Sequence, residues 1–160
     1  MNKVNGTQAS FAPVRDDGSR ITICYGLKKL SKDLYEWLEV YLPKKQMSQL
    51  TLADVKEAII GDIDERVKAQ IIGGMIWNDK PVWYSIENQL NFTNATAPVT
   101  LKIGEQEDGT AIYEAFETEE QLATFCAACN AHKQNALTAG WAEKDSIDWT
   151  PYEDYFKTEE

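Results

Sequence analysis

Histidine, cysteine and basic residues are scarce in this chain of 160 residues. It contains one histidine and three cysteines, and it has no apolar run near the roughly 20 residues of a membrane-spanning helix. Any Ser-His-Asp or Cys-His arrangement would have to use His132, and no phosphate-binding loop, nucleophile elbow or metal-binding helix motif accompanies it. We therefore predict no enzyme, no cofactor, no metal site and no membrane partner.

Basic residues are also fewer than acidic residues. Sixteen lysine and arginine residues stand against 26 acidic residues, which gives a formal net charge of −10. The resulting field repels phosphate backbones and anionic lipid, so we expect no nucleic-acid partner. Residues 1–18 also lack the apolar stretch and cleavage site of a signal peptide, so we expect cytoplasmic synthesis.

Apolar residues make up 43% of the chain, enough for a hydrophobic core at this length. The first third has the pattern of strands. Asp17-Gly18 is typical of the turn of a hairpin. Residues 34–42 also fit a helical stripe, but their alternation favours a strand that ends at Pro43, with Tyr35, Trp37 and Tyr41 on one face.

Helical periodicity begins at Thr51. Thr51 has the character of an N-cap, apolar residues recur every fourth position from Val55 to Ile71, and Gly73-Gly74 is a typical stop. A hairpin centred on Asp79-Lys80 follows, and in that register Trp77 lies opposite Val82, so that Trp77 and Trp83 face opposite sides.

The remaining elements are a short helix, a hairpin and a long helix. Ser85 is placed to cap the short helix, Asp108-Gly109 to turn the hairpin, and Thr118 with Gln121 to open a long helix that Gly140 closes. These patterns predict an α+β fold, with small antiparallel sheets or hairpins packed with two long helices and one short helix. We expect an N-terminal strand region over 1–49 and a compact domain over 50–160.

Cys126, Cys129 and His132 follow one another at three-residue intervals, as metal or redox ligands do. On a helix, however, both cysteines fall on the apolar stripe of Leu122 and Phe125, and His132 lies at its edge. A redox Cys-x-x-Cys needs a thiol near a helix N-terminus or a cation, and Cys126 is two turns inside. We therefore interpret the cysteines as buried and structural. Asp62, Asp64 and Glu65 are clustered enough to suggest acid-base chemistry. Because Asp62 and Glu65 lie off the apolar stripe of their helix, we interpret the cluster as a solvated face.

Aromatic residues are the candidates for binding a partner, because they dominate interface energetics. Trp77, Trp83 and Tyr84 are predicted at one such surface, with at least one tryptophan entering the core. Tyr152, Tyr155 and Phe156 form a short amphipathic turn after Pro151 that either docks on its own domain or anchors a partner.

Residues 50–152 contain four motifs in this order: "TLADVKEAIIGDIDERV", "GGMIWNDKPVWYSIENQLNF", "VTLKIGEQEDGTAIYEAF" and "NALTAGWAEKDSIDWTPYE". This order resembles a family of phage and prophage domains, without an assigned function, that are encoded beside tail-fibre genes. The matching positions are Gly73, Gly74, Trp77, Trp83, Ser85, Asn88, Asn91 and Trp141. The resemblance implies a phage setting and supplies no catalytic residue.

We therefore predict a non-catalytic phage or prophage protein of the tail or tail-fibre region, structural or an assembly accessory, that acts through protein–protein contacts. It would be made in a bacterial host, with the virion as a further location. An acidic inhibitor of a host defence or nucleic-acid enzyme and a carbohydrate-binding domain are the alternatives. Pairing between copies of the chain is also left open.

Overall fold

The computed structural model describes residues 2–43 and 49–157. Its strands are β1 (Asn2–Gly6), β2 (Val14–Asp16), β3 (Arg20–Lys29), β4 (Tyr35–Pro43), β5 (Met75–Trp77), β6 (Lys80–Val82), β7 (Val99–Glu105) and β8 (Ala111–Phe116). Its α-helices are α1 (Leu52–Gly73), α2 (Ile86–Thr93), α3 (Glu119–Asp145) and α4 (Thr150–Lys157), and a 3₁₀ turn spans Gln8–Ser10. All strand pairs are antiparallel, so the predicted α+β class is confirmed.

Contacts divide the chain into two units. The first comprises Met1–Asp64 with Glu143–Glu160, and the second comprises Glu65–Ala142. The division falls inside α1 and inside α3, because each long helix continues from one unit into the other. The last segment therefore belongs with the strand region, whereas residues 50–160 are predicted to form one domain.

A four-stranded sheet in the order β1-β4-β3-β2 forms the first unit's framework. The predicted hairpin is present as β2 and β3, with Gly18 in the turn at a φ of 80°. β1 is not predicted from the sequence, because its five residues have Val4 as their one large apolar side chain and show no alternation of apolar and polar positions. Its pairing with β4 gives it the structure that its own sequence does not specify.

β3 is buried on both faces from Ile21 to Tyr25. Its register sets Cys24 opposite Glu39 and Tyr25 opposite Leu38, and the prediction that this partner segment is a strand that ends at Pro43 is confirmed by β4. The Glu39 carboxylate is buried at 6% exposure, and it accepts hydrogen bonds from Trp37 Nε1 at 3.3 Å and Tyr41 Oη at 3.0 Å. Arg15 adds an ion pair at 3.3 Å, so this buried charge is both paired and hydrogen-bonded.

The start of α1 has the predicted cap. Asp54 N donates to Thr51 Oγ1 at 3.2 Å, while Thr51 N donates to an Asp54 carboxylate oxygen at 2.9 Å, which forms a reciprocal capping pair. The buried side chains Val55, Ile59 and Ile63 lie on the predicted stripe.

The β5–β6 hairpin has a different register from the predicted one. Trp77 lies opposite Lys80, and Met75 lies opposite Val82, because the turn is formed by Asn78 and Asp79 with φ of 47° and 61°. Asn and Asp tolerate these positive angles, which a two-residue turn of this kind requires. Ile76 pairs with Pro81, one position further from the turn than the pair of Trp77 and Lys80. Antiparallel pairs alternate between hydrogen-bonded and non-hydrogen-bonded, and Pro81 is in a non-hydrogen-bonded pair, so its nitrogen does not have to donate a hydrogen bond.

The predicted end of α3 at Gly140 is wrong, since the helix continues to Asp145. Gly140 is buried, and a Cβ at this position would lie closer than 3.0 Å to a methyl group of Val67. The glycine therefore allows α1 and α3 to approach closely and does not end the helix. The start of α3 is confirmed, because Gln121 N donates to Thr118 Oγ1 at 3.3 Å.

The second unit has its own core between the hairpins and α3. The predicted second hairpin is confirmed as β7 and β8, and Ser85 caps α2 by accepting a bond from Asn88 N at 3.3 Å. The buried core side chains come from β5 to β8, the loop after β6, α2 and α3: Met75, Val82, Tyr84, Phe92, Ile103, Ile112, Phe116, Leu122, Phe125 and Cys129. The four strands of this unit, α2 and α3 thus contribute to a single cluster.

Candidate partner-binding surface

Trp83 is the most exposed of the six predicted binding aromatics. Its side chain is 55% exposed, while its neighbours Val82 and Tyr84 are 1% and 3% exposed. The alternation of an extended segment therefore points Trp83 outward and its two neighbours into the core. Hydrogen bonds on either side, from Trp83 N to Ile103 O and from Tyr84 N to Ile72 O, both 2.7 Å, hold this backbone in place.

Trp77 and Tyr84 are not presented to a partner. Trp77 packs edge-on against Phe125 with ring centroids 5.2 Å apart, which confirms that one tryptophan of the hairpin enters the core. Tyr84 stacks on Phe92 and donates its hydroxyl to Asn130 Oδ1 at 3.1 Å. Tyr84 thus uses both its ring and its hydroxyl in contacts within the core, and Trp77 uses its ring.

The C-terminal aromatic residues lie in the other unit, on α4. Tyr152 is 3% exposed and donates its hydroxyl to Cys24 O of β3 at 2.7 Å. Tyr155 and Phe156 are half-buried and contact each other edge-on. Of the two alternatives left open for this segment, its main aromatic anchor therefore docks on its own chain, and Tyr152 is corrected from a candidate binding residue to a core residue.

The outer face of α2, defined here as Ile86 and Leu90, is a second exposed apolar feature. Ile86 is 75% exposed and Leu90 is 61% exposed, and the two are one helical turn apart. Phe92 supplies the buried contact of this helix with the core. Sequence reasoning misses this face, because two apolar residues at i and i+4 are the usual signal of a side that packs inward.

A groove of about 1070 Å³ lies between α2 and β7. Trp83 is on its lining, together with Glu87, Asn91 and Asn94 of α2 and its end, and with residues 99–102 of β7. Ile86 and Leu90 do not line it, because they project from α2 roughly 100° away from Glu87 and Asn91. The groove and the outer face of α2 are therefore distinct surfaces of one helix.

The groove's geometry depends on a glycine of β7. A Cβ on Gly104 would overlap the backbone carbonyl oxygen of Pro81 and would lie 3.5 Å from Trp83 N. Only glycine lets the two backbones approach this closely. Gly104 thereby permits the 2.7 Å hydrogen bond that fixes Trp83 beside β7.

The cysteines and His132 are engaged in structural contacts. Cys129 is fully buried, and Cys126 Sγ donates to Phe92 O at 3.5 Å. Burial raises the pKa of the Cys129 thiol to about 12 and also raises the pKa of Cys126, so both are protonated near neutral pH. A His132 ring nitrogen lies 2.8 Å from Gln70 O.

The third cysteine and the acidic cluster are also accounted for. Burial raises the pKa of Cys24 to about 11, and the neighbouring Glu39 charge acts in the same direction. Asp62 accepts a bond from Tyr25 Oη at 2.5 Å, Asp64 pairs with Lys144 at 2.5 Å, and Glu65 pairs with Lys68 at 3.6 Å. The three carboxylates thus have three separate partners. Within the described residues, no group of three or more His, Cys, Asp and Glu side chains is arranged to hold a metal ion.

Charge is divided equally between the two units. The first contains 16 acidic and 11 basic residues and the second contains 10 acidic and 5 basic residues, so each has a formal charge of −5. None of the helices in the described ranges is both long and apolar enough to cross a membrane.

Together these features define an α+β protein with antiparallel sheets, two buried thiols and one half-buried thiol, and two exposed surfaces on and beside α2. No protein-family model, curated protein or solved structure matches this chain.

Proposed function

We propose that this chain is a non-catalytic phage or prophage protein of the tail or tail-fibre region, which acts in the virion or in its assembly by binding another protein. The phage setting comes from the resemblance of residues 50–152 to domains encoded beside tail-fibre genes. The binding role rests on one observation: the outer face of α2 presents two large apolar side chains that the fold leaves in water.

The exposed area is large enough to matter. Complete burial of a leucine or isoleucine side chain is worth about 1.5–3 kcal/mol, and Ile86 and Leu90 retain most of that surface. The fold gains little from either residue, since Phe92 anchors α2 to the core. A partner that covers this face would gain a central apolar contact of the kind that dominates protein interfaces.

The surroundings of the cysteines and of His132, which are the candidates for catalysis, support a non-catalytic role. Burial keeps the thiols protonated, and the His132 ring is placed against a backbone carbonyl. A nucleophile and its base must lie within hydrogen-bond reach of each other, and neither cysteine has His132 among its hydrogen-bond partners.

The inhibitor alternative has less support. Mimicry of a nucleic acid would favour acidic residues concentrated on one surface, because a dense negative field is what a basic enzyme groove recognises. Here the net charge of −10 is divided equally, −5 in each unit, so the acidic excess is not confined to one of the two units.

The test combines localisation with a defined surface change. Virions and tail assembly intermediates purified from a producing bacterium are analysed by mass spectrometry, and a tagged chain is used to capture tail and fibre proteins. The variant Ile86→Gln with Leu90→Gln replaces the outer face of α2, and Ile76→Thr is the matched control at a side chain that is 62% exposed.

We expect a tail, baseplate or fibre protein to be retained by the wild type and the control and lost from the α2 variant. Absence of the chain from virions and intermediates, combined with no tail protein captured, would refute the proposal. Sedimentation of the purified chain addresses pairing between copies: dimers that the α2 variant dissociates would assign the face to self-association instead.

A further inference from the structure

The groove between α2 and β7 has a chemistry that the outer face of α2 lacks. Its lining combines one exposed indole, that of Trp83, with the carboxamides of Asn91 and Asn94. We propose that this groove binds a neutral saccharide. This inference goes beyond the proposed protein contact, because Ile86 and Leu90 lie outside the groove.

Trp83 supplies a fixed flat apolar surface. Its backbone is held by the bond from Trp83 N to Ile103 O and by Asn88 Nδ2, which donates to Trp83 O, both at 2.7 Å. The aliphatic C–H face of a pyranose ring packs against such an indole, whose negative π face attracts the weakly positive C–H groups. Because the backbone is fixed before binding, little conformational entropy is lost when the sugar arrives.

Asn91 and Asn94 supply the polar contacts. Each carboxamide has two N–H donors and one acceptor oxygen, which suits the paired donor and acceptor hydroxyls of a sugar. In the described part of the chain, neither side chain has a hydrogen-bond partner, and both residues are exposed. Both amides therefore remain free to bond a ligand.

The charges around the groove select against anions. Lys102 is the one basic side chain among the described lining residues, and its ammonium group pairs with Glu105 at 2.5 Å. Glu87 and Glu105 add two carboxylates to the same lining. A phosphate, sulfate or carboxylate group would meet net repulsion here, whereas a neutral ligand would not.

The size of the groove agrees with a ligand of several sugar rings. Small-molecule sites usually enclose about 300–1,000 Å³, and this groove, of about 1070 Å³, is slightly larger than that range. The indole comes from the segment just after β6 and the amides come from the last part of α2 and the residue after it, so the apolar and polar parts of the lining belong to different elements of one groove.

The experiment titrates the full chain with a panel of neutral oligosaccharides of three to six hexose, N-acetylhexosamine or deoxyhexose units. Binding is followed by tryptophan fluorescence and by isothermal titration calorimetry. The variants are Trp83→Ala, Asn91→Ala and Asn94→Ala. Trp141→Ala is the matched control, because Trp141 is also 55% exposed but does not line the groove.

We expect at least one neutral oligosaccharide to bind saturably to the wild type and to Trp141→Ala. Trp83→Ala should weaken that binding at least about tenfold, and each asparagine variant several-fold, with unchanged circular dichroism. Three results would each overturn the proposal: no saturable binding by any panel member up to millimolar concentration, an equal loss in Trp141→Ala and Trp83→Ala, or tighter binding of a sulfated or sialylated analogue than of its neutral counterpart. None of these outcomes depends on whether a tail protein is captured.

Discussion

Replacement of Gly140 by alanine tests the close approach of α1 and α3. The added Cβ would overlap one Val67 methyl group, Cγ2, while Val67 Cβ and Cγ1 stay at 3.6 and 3.8 Å. A valine in a helix has one strongly preferred rotamer, so the methyl group cannot rotate away freely. Overpacking of this kind costs about 1–3 kcal/mol.

Alanine also favours the helix over glycine by about 1 kcal/mol, so the two effects oppose each other. We expect Gly140→Ala to lower the free energy of unfolding by about 0–2 kcal/mol. Gly61→Ala is the matched control, because Gly61 lies within α1 and a Cβ there meets no atom within 4 Å. That control should raise stability by about 0.5–1 kcal/mol.

The assay is urea denaturation followed by circular dichroism, with thermal melts as a second measurement. A difference of 1 kcal/mol corresponds to about 2–4 °C in the melting temperature of a chain of this size. Val67→Ala combined with Gly140→Ala should recover part of the loss, because it removes the overlapping methyl group. Equal stabilisation by Gly140→Ala and Gly61→Ala would refute the steric explanation.

Three further predictions concern hydrogen bonds, thiols and acid stability. Tyr152→Phe removes the donor to Cys24 O and should cost about 1–2 kcal/mol in urea denaturation, whereas Tyr113→Phe, at a side chain 58% exposed, should be neutral. A thiol reagent at pH 8 should modify Cys24 and Cys129 far more slowly in the native protein than in denaturant, because burial raises the pKa of these thiols to about 11 and about 12; native labelling as fast as that of a free thiol would contradict their burial. The Lys80 ammonium and Asn78 lower the pKa of Glu114 below its ordinary value of 4.5, so the unfolded chain takes up this proton first and stability falls as pH drops below about 4.5. Glu114→Gln should make that acid-side loss shallower, and an unchanged pH profile would count against the ion pair.

Local patterns predicted most of the elements. The stripe from Val55 to Ile63, the caps at Thr51, Ser85 and Thr118, and the glycine turns each act within one or two turns of chain, and all are present in the fold. The burial of Cys129 is likewise predicted by its helical spacing from Phe125.

The sites were predicted less well, because exposure depends on which distant segments pack against a residue. Trp83 and Tyr84 are adjacent and both aromatic, yet one is 55% exposed and the other 3%. Tyr152 is buried by its bond to Cys24, 128 positions away in sequence. Nothing local to Ile86 and Leu90 distinguishes an outward helix face from an inward one.

The sequence by itself therefore determined the order of the elements from the first hairpin onward, the starts of the capped helices and the absence of a catalytic motif, since caps, periodicity and composition are local properties. Only the tertiary structure decided the β5–β6 register, the pairing of β1, the role of Gly140 and the groove beside Trp83. Each of these follows from backbone and side-chain approaches between segments remote in sequence, such as Gly104 against Pro81, where the removal of one Cβ sets the distance.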